Sequence, residues 1–332
     1  MKLKYCVCVH YNGRWELKSE GTPCPRLQHG LIFRYGMSVL GSTRYVSMLI
    51  AAGVLVVVVV AALVYAPLTV FNALTPADAG ATIAQSNVAY GANPRQRLDV
   101  YVPKRQTEGR PMVVVLYGGS WNSGRKEDYA FLGKALASRG FVAFIADYRL
   151  VPEVIFPAFL EDSAHTVRWA QTNGASFGGD PKRLYLLGHS AGAYMAAMIA
   201  LDRRYLEGVG TSPAALAGVA ALSGPYDFLP LDAASTKAAF GHASDLNATQ
   251  PINFVSSDAP PMLLATGDAD STVKPRNSRE LAQKLSAAGA RVTTKVYPGI
   301  GHIGIMLALS VLFRGRAPVL DDVTAFIAEP RS

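Results

Sequence analysis

The sequence predicts an α/β domain with a mostly parallel central sheet and helices on both of its faces. Three observations lead to this class. Short apolar runs alternate with amphipathic segments after residue 84. Half of the 332 residues are hydrophobic, enough for a sizeable core. Glycine directly follows several of the apolar runs, as turns beyond strands require. Strands that alternate with helices favour parallel pairing, with ligands bound beyond the carboxyl ends of the strands.

Seven strands and four helices are predicted in chain order. Residues 97–102 alternate in polarity as an early strand does, and residues 112–117 form a continuous apolar run that suits a strand buried on both faces. The remaining predicted strands are residues 141–147, 184–188, 219–223, 262–266 and 292–297. The predicted helices are residues 129–139, 160–173, 191–201 and 278–288. Residues 191–201 are apolar almost all round, which predicts a buried helix.

Residues 1–45 form a basic leader. It contains seven of the 32 basic residues, only two of the 24 acidic ones, and all three cysteines. The rest of the chain is nearly balanced in charge, as an ordinary soluble domain is, so nucleic acid is not an expected partner. Met37 is an alternative start, and no function is assigned to the residues before it.

Residues 46–66 contain no charge over 21 positions, long enough for a helix to span the roughly 30 Å of a bilayer core. We expect a transmembrane or signal-anchor helix here, with the membrane as a partner. A buried core element is the alternative. The basic residues before it place the following domain on the non-cytoplasmic side. Cleavage after a signal peptide, giving a secreted or periplasmic protein, is the competing interpretation. Residues 67–84 are then a linker and residues 85–332 the main domain.

A G-x-S-x-G motif, Gly188 to Gly192, lies between a predicted strand and a predicted helix. The glycines permit a sharp turn that leaves the hydroxyl of Ser190 exposed above the sheet. An activated serine needs a base, and the base needs an orienting carboxylate. His302 is the one histidine in a glycine-flanked loop after a late strand, whereas both Asp268 and Asp270 follow strand 262–266.

These motifs resemble the α/β-hydrolase superfamily, particularly its small carboxylesterase-like branch of hormone-sensitive-lipase-like and feruloyl-esterase-like serine esterases. The order Ser190, Asp270, His302 is the order of that superfamily. In the branch the acid ends a G-x-x-D pattern followed by x-x-V, which here selects Asp270 and leaves Asp268 as a loop-capping or solvated residue. The resemblance implies a carboxylic ester as substrate, an acyl-enzyme intermediate, and neither a metal nor an organic cofactor.

Residues 117–121 lie where the family carries H-G-G-G-W. The backbone N–H groups of Gly119, Ser120 and Ala191 are the expected oxyanion donors. Tyr117 replaces the histidine and Ser120 the third glycine, so the hydrogen bonds that anchor this loop must differ. A plain Gly-Gly turn is the alternative interpretation.

Other residues are expected to have structural roles. The segment 147–149 resembles a structural D-Y-R element of the same branch. Asp162 and His165, one helical turn apart, are expected on a solvated helix face rather than in a metal site. The turn is expected to aim His189 away from the site. Residues 229–255 are expected to form a lid or one wall of the acyl pocket.

The sequence thus predicts a membrane-tethered serine hydrolase of carboxylic esters. An amidase or arylformamidase with the same three residues is one alternative. A catalytically silent, membrane-tethered binding protein with the same fold is another. The sequence determines neither the acyl and alcohol groups nor the oligomeric state.

Overall fold

The computed structural model describes residues 7–11, 14–18, 45–54, 67–105 and 107–329. They belong to two units, residues 1–60 and residues 61–332. In the first unit, strands β1 (Val7–Tyr11) and β2 (Arg14–Lys18) pair as an antiparallel hairpin.

The predicted membrane span, residues 46–66, is described only in part. Residues 45–54 are helical and exposed, whereas residues 55–66 lie outside the described residues. Within the part of the chain that the structure describes, no helix combines the length and the apolar character needed to cross a bilayer. The span therefore stays a prediction.

The second unit is built on an eight-stranded sheet with the order β10-β9-β8-β7-β5-β6-β4-β3. Its strands are β3 (Ala81–Ala89), β4 (Arg97–Pro103), β5 (Arg110–Leu116), β6 (Val142–Ala146), β7 (Gly179–His189), β8 (Leu216–Leu222), β9 (Met262–Gly267) and β10 (Val292–Tyr297). β4 pairs antiparallel with β3 and β6. The other neighbouring strands pair in parallel. The prediction of a mostly parallel sheet is confirmed.

Nine α-helices of the second unit lie among the described residues. They are α1 (Pro67–Leu74), α2 (Ala130–Ser138), α3 (Ala158–Asn173), α4 (Ala191–Leu201), α5 (Arg203–Gly208), α6 (Ala234–Phe240), α7 (Arg276–Ala287), α8 (His302–Leu307) and α9 (Val319–Ala328). The four predicted helices correspond to α2, α3, α4 and α7, with ends within two residues of the predicted ones.

The segment predicted as a linker, residues 67–84, contains α1 and the first four residues of β3. β3 has no apolar run because it is an edge strand whose side chains are mostly exposed. Its pairing with β4 holds it in the sheet. The domain boundary at residue 85 stays a prediction.

Burial of the central elements brings the site residues together. In β5 every residue from Pro111 to Leu116 is buried, so both faces of the sheet are covered there. All eleven residues of α4 are buried, which confirms the predicted buried helix. Because β7, β8, β9 and β10 are parallel neighbours, their carboxyl ends lie at one edge of the sheet. The loops that follow β7, β9 and β10 therefore meet.

Candidate active site

Ser190 lies at the sharp turn between β7 and α4. Its backbone angles are φ 56° and ψ −122°, a conformation that residues with a side chain rarely adopt. A Cβ atom on Gly188 would lie 2.3 Å from the carbonyl oxygen of Gly192, and one on Gly192 would lie 1.9 Å from that of Leu116. Both contacts are with backbone atoms that cannot move aside, so glycine is required at both positions.

A chain of hydrogen bonds connects the three residues selected from the sequence. His302 Nε2 lies 2.8 Å from Ser190 Oγ, and His302 Nδ1 lies 2.8 Å from Asp270 Oδ2. The other carboxylate oxygen of Asp270 accepts the backbone N–H groups of Thr272 (3.0 Å) and Val273 (2.9 Å). Since the carboxylate is an acceptor, Nδ1 of His302 carries the hydrogen, and the lone pair of Nε2 faces the serine hydroxyl.

The structure also distinguishes between the two candidate carboxylates, Asp268 and Asp270. The side chain of Asp270 is fully buried, whereas Asp268 is exposed. Asp268 Oδ1 accepts the backbone N–H of Gly299 (2.7 Å) and so connects the loops after β9 and β10. This contact is the loop-capping role that the sequence predicts for it.

His189 lies against His302, contrary to the expectation that the turn aims it away from the site. Its Nε2–H donates to the backbone carbonyl of His302 (2.9 Å), and the two ring centroids are 4.9 Å apart. Burial, and then the neighbouring His302, lower the pKa of His189 to about 4, so its ring is neutral at pH 7. In the sequence, the one signal that could have indicated this contact is the adjacency of His189 to Ser190.

The loop of residues 118–121, the GGSW loop, has three consecutive residues with positive φ. These are Gly119 (132°), Ser120 (50°) and Trp121 (60°). No hydrogen bond within the described residues uses the backbone N–H of Gly119 or Ser120. Ala191 is the first residue of α4, so its N–H has no acceptor inside the helix. All three expected oxyanion donors are therefore available to a ligand.

Tyr117 anchors the start of the GGSW loop. Its buried hydroxyl donates to Asp147 Oδ1 (2.7 Å) and accepts from Arg95 Nη2 (2.9 Å). Its backbone carbonyl accepts the hydroxyl of Tyr148 (3.0 Å). Burial raises the pKa of Asp147, and the hydrogen bond from Tyr117 opposes that rise. These contacts anchor the loop through the tyrosine that replaces the histidine of the family pattern.

The 147–149 segment has the structural role that the sequence predicts. The guanidinium of Arg149 donates to both carboxylate oxygens of Asp162, with a closest distance of 2.7 Å. Asp162 is fully buried, so the expectation of a solvated position for it is wrong, whereas His165 is exposed as expected. Among the described residues no group of three or more His, Cys, Asp or Glu side chains could hold a metal ion.

Two pockets open on Ser190 from different sides, and both include Ser120 and Thr272. The His302-side pocket has a volume of about 700 Å³. Its apolar lining consists of Leu68, Tyr129, Ile303 and Met306. The Trp121-side pocket has a volume of about 340 Å³. It is lined by Trp121, Ala191, Phe228, Leu229 and Pro230, among others. The start of the predicted lid or wall, residues 229–255, thus forms part of this second pocket.

Comparison with known proteins relates the chain to named esterases. The BD-FAE family model matches residues 98–285, which include Ser190 and Asp270 and end before His302. A probable isoprenylcysteine alpha-carbonyl methylesterase of Oryza sativa subsp. japonica is 31% identical over 263 residues, covering 73% of this chain and 62% of the relative. Esterase LipC of Mycobacterium tuberculosis is 29% identical over 245 residues, covering 66% of this chain and 60% of the relative. The chain therefore spans about three fifths of the length of these relatives.

A solved structure shares the fold. Esterase B from Lactobacillus rhamnosis superposes with a TM-score of 0.70 at 23% identity, covering 84% of this chain and 95% of the other. At this identity the likeness establishes the architecture alone.

Proposed function

Because the chain belongs to the BD-FAE family, we propose that it is a serine hydrolase that cleaves carboxylic esters with Ser190, His302 and Asp270. Membership confirms the resemblance to the carboxylesterase-like branch of the α/β-hydrolase superfamily. The observation that carries the proposal is the hydrogen-bond chain from Asp270 through His302 to Ser190, with both distances at 2.8 Å.

The proposed reaction has two halves. Ser190 Oγ attacks the ester carbonyl carbon while His302 Nε2 takes the hydroxyl proton. Asp270 keeps the hydrogen on Nδ1 and stabilises the imidazolium that forms. The backbone N–H groups of Gly119, Ser120 and Ala191 bind the oxyanion. His302 then returns the proton to the departing alkoxide, and the alcohol leaves an acyl-enzyme. Water hydrolyses this ester by the same proton transfers, releasing the acid and restoring Ser190.

The position of His302 supports an assignment of the alcohol and acyl groups to the two pockets. The leaving oxygen must lie within hydrogen-bond reach of His302 Nε2 to receive its proton. His302 lines only one of the two pockets, so the alcohol group occupies the His302-side pocket. The acyl group then occupies the Trp121-side pocket, beside the N–H of Ala191.

Turnover and active-site labelling test the proposal with the full chain. We expect hydrolysis of short p-nitrophenyl esters and covalent labelling of Ser190 by a fluorophosphonate probe. We expect Ser190→Ala to lose both turnover and labelling. Ser286 is an exposed serine on α7, and Ser286→Ala should retain both properties. A wild-type protein with neither property would refute the proposal and favour the silent binding protein. Faster turnover of matched anilides or formamides than of esters would assign it to the amidases instead.

We also propose that residues 46–66 tether the enzyme to a membrane with the catalytic domain on the non-cytoplasmic side. The support is the uncharged 21-residue run and the basic residues before it. Protease added to spheroplasts should degrade the domain, and full protection would contradict this placement. A mature protein that begins near residue 66 would show cleavage of a signal peptide instead.

A further inference from the structure

Helix α1 lies outside the residues that match the BD-FAE family, yet it reaches the site. Leu68 and Thr69 line the His302-side pocket together with Ser190 and His302. This wall of the pocket is therefore formed by residues outside the region that the family model matches.

Hydrogen bonds connect α1 to the segment that leads into α2. Thr69 Oγ1 donates to Asp128 Oδ1 (2.6 Å) and accepts from Arg125 Nη2 (3.0 Å). The amide oxygen of Asn72 accepts the backbone N–H of Phe131 (2.9 Å), and its amide group donates to a backbone carbonyl of the same segment (3.1 Å). Thr69 and Asn72 are three residues apart and so share one face of the helix. Their bonds fix the rotation of α1 about its axis, and with it the position of Leu68.

Aromatic contacts and an ion pair hold the same region. The ring of Phe71 meets Phe131 edge-on at 5.3 Å and stacks on Phe313 at 5.9 Å. Just beyond α1, Asp78 accepts two hydrogen bonds from the guanidinium of Arg314, both at 2.9 Å. A bidentate pair of this kind adds geometric specificity as well as energy. α1 is therefore a fixed part of the pocket wall.

The pocket that α1 completes has an apolar side. Ile303 follows His302 directly, has 52% of its surface exposed and lines the pocket together with Leu68 and Met306. On the polar side the pocket includes Arg95, and Arg125 and Asp128, which pair with each other at 3.2 Å. An alcohol group bound near His302 Nε2 would extend between these two sides.

We infer that α1 is a wall of the alcohol pocket and that Leu68 is a specificity-determining residue for the alcohol part of the ester. This inference rests on the proposed esterase function. It assigns to the enzyme alcohols whose apolar part contacts Leu68, Ile303 and Met306, with Leu68 limiting their bulk on that side of the pocket. A smaller side chain at position 68 admits bulkier alcohols, and a larger one excludes them.

Two ester series measured with the full chain test this inference. One series keeps the acetyl group and varies the alcohol from methanol through butanol to 1-naphthylmethanol. The other keeps p-nitrophenol and varies the acyl chain from acetyl to octanoyl. One methylene more or less in a hydrophobic pocket changes kcat/KM by about ten- to two-hundredfold. In this open pocket we expect Leu68→Ala to raise the naphthylmethyl-to-methyl ratio about tenfold and Leu68→Trp to lower it about tenfold.

The control and the contrary outcomes distinguish this inference from the proposed function. Leu74→Ala, at a position on the same helix that is 73% exposed, should leave both series unchanged. Unchanged alcohol selectivity in both Leu68 variants would overturn the inference while leaving the esterase intact. So would a shift confined to the acyl series, or a shift of the alcohol ratio in the same direction in both variants. A wild-type protein without turnover in either series would refute the proposed function itself.

Discussion

Replacing Tyr117 with phenylalanine removes the hydroxyl that anchors the GGSW loop and keeps the ring. In the native structure this buried hydroxyl contacts Asp147 at 2.7 Å and Arg95 at 2.9 Å. After the substitution, Oδ1 of Asp147 retains the backbone N–H of Lys126 (2.8 Å) and the more distant Arg95 (3.7 Å). A buried carboxylate therefore loses its shortest hydrogen bond.

The expected cost follows from these contacts. A hydrogen bond to a charged group contributes about 1.5–3 kcal/mol to the free energy of unfolding. The hydrogen bond to Asp147 contributes its full value to this cost. The bond from Arg95 counts for less, because Arg95 keeps its bonds to the backbone carbonyls of Tyr148 and Gly124. We therefore expect Tyr117→Phe to destabilise the protein by about 2–4 kcal/mol at pH 7.5.

The destabilisation caused by Tyr117→Phe depends on pH, and its direction follows from the pKa of Asp147. Burial raises the pKa of Asp147 and Tyr117 opposes the rise, so the variant raises that pKa further. The destabilisation is largest where Asp147 is ionised in both proteins. It shrinks as the pH falls through the pKa of Asp147 in the variant and then in the wild type, because a neutral carboxyl loses a weaker bond.

Urea unfolding, followed by tryptophan fluorescence at pH 7.5 and at acidic pH, measures the effect. Tyr101→Phe is the control, because Tyr101 is equally buried and its hydroxyl forms no hydrogen bond within the described residues. We also expect kcat to fall about tenfold in Tyr117→Phe, equivalent to about 1.4 kcal/mol at the GGSW loop. A loss of stability below about 1 kcal/mol, or one independent of pH, would refute the reasoning.

Three further substitutions follow from the site geometry. Gly192→Ala puts a Cβ atom 1.9 Å from the Leu116 carbonyl oxygen, so we expect a loss of at least about 1–3 kcal/mol in unfolding free energy and little activity. Asp270→Asn turns an amide N–H toward His302 Nδ1, moves the ring hydrogen to Nε2, and should lower kcat by about 10³–10⁴ without unfolding the protein. Folding lowers the pKa of His189 from 6.5 to about 4. Between these two pH values the unfolded chain binds a proton that the folded protein does not, so the free energy of unfolding falls by about 3 kcal/mol as the pH falls from 6.5 to 4. The stability difference between wild type and His189→Gln should change by that amount in urea titrations over this range.

Each of these substitutions has a matched control. A Cβ atom on Gly208 meets nothing within 4 Å, so Gly208→Ala should be tolerated. Asp268→Asn keeps an oxygen for the N–H of Gly299 and should retain activity. His165→Gln, on the exposed side of α3, should show no comparable pH dependence. Normal activity in Gly192→Ala or Asp270→Asn, or parallel pH curves for wild type and His189→Gln, would contradict the corresponding argument.

Local patterns in the sequence predicted much of the fold and the members of the site. The helix α4 begins and ends where the apolar run 191–201 predicts. Ser190, Asp270 and His302 were selected by motif and chain order, and the structure brings them into one hydrogen-bond chain. These features can be predicted from the sequence because the hydrophobic periodicity of a helix or strand, and the need for glycine in a tight turn, each involve only a few adjacent residues.

Contacts between distant residues decided the rest. β3 is a strand because β4 pairs with it, and Asp162 is buried because Arg149, which lies outside α3, pairs with its carboxylate. His189 packs on His302 across 113 positions of the chain, and α1 adds Leu68 to the His302-side pocket, which no local pattern indicated. The sequence by itself determined seven of the eight strands of the sheet, the buried helix and the three residues of the hydrogen-bond chain, whereas only the tertiary structure decided what surrounds them. The reason is physical: pattern and turn chemistry are properties of neighbouring residues, but burial and pairing arise only when remote segments pack together.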